Sequence, residues 1–171
     1  MKPLVDGLYR WTYRGLYLAA CVYWTVCGHR FRGVYVAVWH GGRVLLVHNT
    51  YKRGWTMPGG LVQRRETARQ GAARELAEEV GIRVDAAALV YEGEFVGRYL
   101  KRHETCHLFR LDCPTPPQTQ VDGREVDTAE LVAPADALVR RLHRGVGAYL
   151  RYHGAGGPWP FTGAAEPTTT G

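Results

Sequence analysis

Residues 60–82 read GLVQRRETARQGAARELAEEVGI, and no other span limits the chain's folding so tightly. From Thr67 to Val80 there is no proline, Ala, Arg, Glu and Leu predominate, and Gly81 follows. That composition and that stop predict a helix closing on a left-handed glycine. At about 100° per residue, Arg69, Ala72, Ala73, Leu76 and Val80 fall on one side. Glu75, Glu78 and Glu79 gather on the neighbouring side at i, i+3, i+4 spacing. The first side is expected to pack, and the carboxylates to face a cleft.

Three like charges this close repel one another, so the arrangement destabilises the helix and raises at least one pKa unless a cation sits among them. Hard oxygen ligands select Mg2+ or Mn2+. Arg74, directly before Glu75, is placed to pair with a carboxylate and hold it, and Glu66 at the helix mouth is favoured by the positive end of the dipole. Just upstream, Trp55-Thr56-Met57-Pro58-Gly59-Gly60 forms a loop in which proline fixes one backbone angle and the glycines let the main chain approach an ion or phosphate. The Gly59 carbonyl is a candidate further ligand.

The segment resembles the Nudix box in full. Gly60 is followed by five residues and Glu66, then by seven residues and Arg74-Glu75-Leu76, one residue, Glu78-Glu79, one residue, Gly81 and the aliphatic Ile82. The preceding Trp-x-x-Pro-Gly-Gly is similar to the loop that leads into that box, and weaker likeness runs from about residue 32 to about residue 137. The resemblance implies an α/β fold, a Nudix-like α/β/α sandwich with a mixed sheet. It also implies a divalent metal and hydrolysis of a nucleoside diphosphate linked to another group. Carried over residue by residue, it implies that Glu75, Glu78 and Glu79 bind metal, Arg74 orients Glu75, and Glu66, with Gly60 and Gly81, supports the loop and helix.

A general base must reach the attacking water, and a carboxylate beside a metal suits that task. Glu75 and Glu78 are candidates within the box. In Nudix enzymes the base sometimes comes from a later loop, which brings in Glu125, in Gly123-Arg124-Glu125-Val126, and Glu104. Glu125 is the preferred choice. Lys52, Arg53, Arg98, Lys101 and Arg102 are read as loop residues that could meet substrate phosphates. Trp55, Tyr51 and Tyr99 are candidates to stack on a base. Tyr99 also stands at an offset beyond the box that resembles dinucleoside polyphosphate hydrolases.

With 171 residues, 46% of them hydrophobic, the chain is long enough for one globular domain with a real core. The expected organisation is an apolar and aromatic helical extension over 1–30, the hydrolase domain over 31–153, and a Gly, Pro and Thr-rich mobile tail over 154–171. A net charge of +6 favours anionic partners. The arginines form no compact basic run, so a nucleotide-type small molecule is expected as substrate and nucleic acid is not. Cys21, Cys27, Cys106 and Cys113 form no zinc-like spacing and read as structural thiols of a reducing cytoplasm. His103 and His107 are expected to be ordinary surface or sheet-edge histidines rather than metal ligands.

Residues 34–39 and 43–47 read as a β-hairpin around His40-Gly41-Gly42. Residues 83–96 suggest one or two strands and residues 105–111 another, with a polar turn at Gly97 and Arg98 between them. Residues 133–152 have helical periodicity. Residues 16–27 carry no charge but are too short to span a bilayer, which takes about 20 apolar residues. With its flanking aromatics and arginines, the N-terminal segment is expected to pack on the domain, to join a homodimer, or to lie peripherally at a membrane. Three functional readings follow. They are a soluble hydrolase acting on ADP-ribose, dinucleoside polyphosphate, nucleotide sugar or NTP, a membrane-associated diphosphate hydrolase, and a non-catalytic nucleotide-binding regulator.

Overall fold

Two consecutive glycines set the first turn. Strand β1 (Phe31–His40) meets β2 (Arg43–Asn49) across Gly41 and Gly42, whose φ angles of 54° and 73° give the two-residue turn that matches strand twist. The structure, a computed structural model, describes residues 31–51, 53–99, 102–121 and 123–155. The aromatic N-terminal extension with Cys21 and Cys27, Lys52, Lys101 and the tail past residue 155 lie outside the described residues.

Pairing of β1 with β2 is confined to Trp39↔Val44 and His40↔Arg43. From there β2 swings away to pair antiparallel with β6 (Val126–Val132), from Val44↔Val132 to Asn49↔Val126. On its other side β1 takes β5 (Arg102–Asp112) as a parallel partner from Phe31↔Glu104 to Trp39↔Asp112. The edge of β1 that β2 leaves open is filled by the glycine loop. Val36 N–H donates to the Pro58 carbonyl, Val34 N–H to the Gly60 carbonyl, and Val62 N–H to the Arg32 carbonyl, each at 2.9 Å. Strand β3 (Trp55–Thr56) pairs with β2, and β4 (Val90–Tyr99) lies antiparallel to β5. The result is a mixed six-stranded sheet.

Helix α1 (Ala68–Val80) covers one face, burying Ala68, Ala72, Leu76 and Val80 against Val34, Val36, Val38, Leu45, Val47 and Phe109. Complete burial of a side chain such as Leu76 contributes about 1.5–3 kcal/mol. Arg69, which shares that apolar side, lies over the Phe109 ring and donates to the Leu89 carbonyl. Helices α2 (Pro134–Leu138) and α3 (Arg144–Ala155) cover the other face through Ala137, Val146, Tyr149 and Leu150. The α/β sandwich expected from the sequence is therefore present.

Several local expectations are corrected. Gly97 and Arg98 are not a turn. They pair with Glu104 and His103 inside β4 and β5, because backbone pairing does not require a side chain at position 97. Arg98 and Arg102 are accordingly strand residues. Residues 83–89 form no strand, since Asp85 accepts from Ala87 N–H and caps a 3-10 turn at Ala86–Ala88. Residues 133–152 are two helices, because Arg141 and His143 spend backbone groups on Trp55 instead of on a helical ladder. His107 is not a surface residue. It is 2% exposed, on the α1 face of β5, with Nδ1 3.5 Å from Glu94. None of the described helices is long and apolar enough to cross a membrane.

Candidate active site

The acidic cluster is organised by one guanidinium. Thr67 caps α1, accepting from Gln70 N–H while the Gln70 side chain accepts from Thr67 N–H, and Gly81 closes it at φ 72°. These two ends fix the phase of the helix, so Arg74, Glu75, Glu78 and Glu79 point where their spacing requires. Arg74 donates to both oxygens of Glu66 at 2.8 and 3.2 Å, to Glu75 at 2.8 Å, to Glu78 at 2.8 Å, and to the Leu61 carbonyl at 3.0 Å. Glu66 in turn closes the turn before the helix by accepting from Gln63 N–H at 2.6 Å. The Arg74 guanidinium is raised above its ordinary value, chiefly by Glu66, and remains charged at any working pH. Arg74 holds the Glu66 carboxyl below the usual carboxylate range.

Glu75 stands apart from its neighbours. Its side chain is 12% exposed where that of Glu78 is 58%. Burial pushes its carboxyl up, Arg74 pulls it down, and the nearby charges of Glu78 and Glu125 push it up again. The glycine loop lies directly on it. A Cβ at Gly60 would sit 2.5 and 2.7 Å from the two Glu75 oxygens, so any larger residue there would displace the Glu75 carboxylate. Gly59 donates its N–H to Glu79 at 2.9 Å, and Glu79 is buried. Glu125, in the segment before β6, is near enough for its charge to act on Glu75. Its carbonyl accepts from Thr50 N–H at 2.9 Å, and the Thr50 hydroxyl donates to the Arg124 carbonyl at 2.6 Å.

The structure thus brings together Gly59, Gly60, Glu66, Arg74, Glu75, Glu78 and Glu79, with the charge of Glu125 acting on Glu75. Gly81 sits at the far end of α1, against Gln120, as a cap. Arg53 is exposed in the loop before β3. Tyr99 ends β4 opposite Arg102, and Glu104 lies opposite Gly97, so both belong to the β4–β5 hairpin. Trp55 is in β3 with the Arg140 guanidinium 4.7 Å from its ring. Sequence reasoning passed over an aromatic group beside Gly59, where a Cβ would meet Tyr35. Tyr35 stacks on Phe95 at 6.0 Å and lies 5.9 Å from His143. No spacing rule links three residues from β1, β4 and the start of α3.

The donor set fits a hard divalent cation. Three carboxylates, Glu66, Glu75 and Glu78, share one arginine, and the Glu75 carboxyl is disfavoured as an anion by burial and by two like charges, which a cation would offset. Among the described residues no three acidic, His or Cys side chains converge in ready ligating geometry, because Arg74 and the Gly59 N–H hold them.

The sequence profile of the NUDIX domain matches residues 29–152. The chain belongs to the Nudix family. A "MutT-like protein" from Streptomyces ambofaciens is 41% identical over 54 residues, a stretch covering 32% of this chain and 35% of that relative. The chain therefore spans about a third of that relative's length. In three dimensions this Nudix chain is similar to a MutT protein from Methanosarcina mazei, with a TM-score of 0.64 and 19% identity over 75% of this chain and 95% of that one. It is also similar to a bifunctional NMN adenylyltransferase/ADP ribose pyrophosphatase from Francisella tularensis, complexed with AMP and a manganese ion. There the TM-score is 0.53 and identity 22%, over 75% of this chain and 40% of that one. Both likenesses are of fold, and the matched domain model sets the family.

Proposed function

We propose that the protein is an Mg2+-dependent hydrolase, with Mn2+ as a substitute, that cleaves a phosphoanhydride bond in a nucleoside diphosphate linked to another group. The observation that carries this reading is the buried Glu75 carboxylate, pressed against Gly60 and flanked by Arg74, Glu78 and Glu125. Glu75, Glu78 and Glu79, with the Gly59 carbonyl, would hold the metal. When bound, the metal supplies charge neutralisation for the diphosphate and for the departing phosphate oxygen.

The chain's own residues do the rest. Arg74 holds Glu75 and Glu78 side by side and keeps Glu66 on the loop. Glu125 is the general base: it takes a proton from water as the water oxygen bonds to phosphorus and the anhydride P–O bond breaks. Its charge registers on Glu75, which supports its place at the centre. The nucleoside half of the substrate is read by the Tyr35, Phe95 and His143 group, which adjoins Gly59 on the other face of the sheet. That neighbour supports a nucleotide substrate over a lipid diphosphate, and the intact cluster supports catalysis over mere sensing.

The test is product release from ADP-ribose, dinucleoside polyphosphates, nucleotide sugars and nucleoside triphosphates with Mg2+, comparing the wild type with Glu78→Gln. Release that falls by about 10²-fold or more in the variant supports the reading. A wild type that binds nucleotide but turns over nothing sinks it.

A further inference from the structure

Trp55 is where three segments are tied together. Its N–H donates to the Arg141 carbonyl at 2.8 Å, its carbonyl accepts from His143 N–H at 3.0 Å, and it pairs with His48 across β2. Its ring is held as firmly as its backbone. The Arg140 guanidinium lies 4.7 Å from the ring centre, and the His48 ring meets it edge-on at 5.6 Å. Each of those partners is itself held by β6, Arg140 by Glu130 at 2.9 Å and His48 by Asp127 at 3.0 Å. Even the residue before it is fitted to the elbow between α2 and α3. A Cβ at Gly54 would lie 2.6 Å from the Arg141 carbonyl.

From this anchor the chain runs four residues to Gly59. Met57 is buried between them, the Pro58 carbonyl is fixed on Val36, and Gly59 is fixed on Glu79. The strip is therefore stretched between the elbow at one end and β1 with α1 at the other.

We propose that Trp55 is a positioning residue for the Gly59–Gly60 loop and not a platform for the substrate's base, and that Arg140 acts through it. A base stacking on the ring from the Arg140 side would have to displace a guanidinium that also holds Glu130, whereas the same contacts transmit the elbow's position into the loop without any contact with substrate. The proposal rests on the reading of residues 59–79 as the hydrolytic centre.

The experiment compares Arg140→Ala, Trp55→Ala, Trp55→Phe and the Arg140→Ala/Trp55→Ala double variant with the wild type. Steady-state kinetics on a nucleotide substrate are combined with residue-resolved amide hydrogen exchange at Gly59 and, for the core, Phe109. Mn2+ affinity by calorimetry on the metal-free protein gives a readout independent of turnover. Arg140→Ala is expected to lower kcat about tenfold with KM within about twofold, as misplacement by a fraction of an ångström does. Exchange at Gly59 should accelerate while Phe109 stays protected, and Mn2+ should bind more weakly. Trp55→Phe should keep most of the activity, and the double variant should be no slower than Trp55→Ala, since both act on one link.

The proposal is overturned if Trp55→Ala raises nucleotide KM about tenfold at unchanged kcat, the behaviour of a stacking platform. It is also overturned if Arg140→Ala leaves kcat, Mn2+ affinity and Gly59 exchange at wild-type values. Should the wild type hydrolyse nothing, the hydrolase reading falls by itself, and the exchange at Gly59 still decides whether Arg140 and Trp55 govern the loop.

Discussion

At position 74 a single guanidinium makes five hydrogen bonds, to Glu66 twice, to Glu75, to Glu78 and to the Leu61 carbonyl. An ammonium has three donors and no planar fork, so lysine keeps the charge and loses the geometry. Arg74→Lys is expected to lower kcat about 10²-fold through misorientation of the carboxylates, with circular dichroism unchanged; steady-state kinetics check it, and activity within a few-fold of wild type would refute it. These residues were legible because their spacing is local. Arg74, Glu75 and Glu78 sit within about one turn of a single helix, and Glu66 lies just before its N-cap, so sequence offset fixes their side-chain directions. The aromatic group was not legible, since Tyr35, Phe95 and His143 meet only through the sheet register. Trp55 was seen as a ring that could stack, and the sequence carries no sign that Arg140 already lies over it.

Helix α1 is bounded by a capping box at Thr67 and a left-handed glycine at its far end. Gly81 adopts φ 72° and a Cβ there would meet the Gln120 Cβ at 3.2 Å. Gly81→Ala should therefore destabilise the protein by about 1–2 kcal/mol, read as a lower Tm, with kcat unaffected well below that temperature. An unchanged Tm would show that the cap is not under this constraint. The helix was readable because composition, cap and stop agree over 13 residues. The stretch at 133–152 shows the opposite case. Its apolar periodicity is real, yet residues 139–143 leave the helical path because Trp55 offers their backbone groups partners from another strand. Periodicity reports which side chains are buried and is silent about such long-range exchange of backbone partners. For the same reason the β4–β5 hairpin extended past Gly97, where a turn was expected from composition.

Taken whole, the sheet separates two ionisable centres. Far from the hydrolytic cluster, on the face covered by α3, Glu92 is tied to Tyr149 and lies 3.8 Å from Arg110, which is itself paired with Asp112 at 2.8 Å. Burial pushes the Glu92 carboxyl up. Because its folded-state pKa exceeds the unfolded one, the stability it lends is complete below the unfolded pKa and is lost as pH rises through the folded value. Glu92→Gln should consequently raise Tm relative to wild type at pH 7 to 8 and bring little change near pH 4; thermal melts across that window check the sign, and a difference that is flat or shrinks with rising pH would contradict it. Where β2 parts from β1, the carboxylates lie on the α1 face and the aromatic group on the other, with Gly59 and Gly60 as the hinge between them. On the proposed reading, sequence drift at Tyr35 or His143 would redirect the protein towards a different nucleotide while the carboxylates stay as they are. Inheritance can rewrite the address on such a scaffold and leave the blade alone.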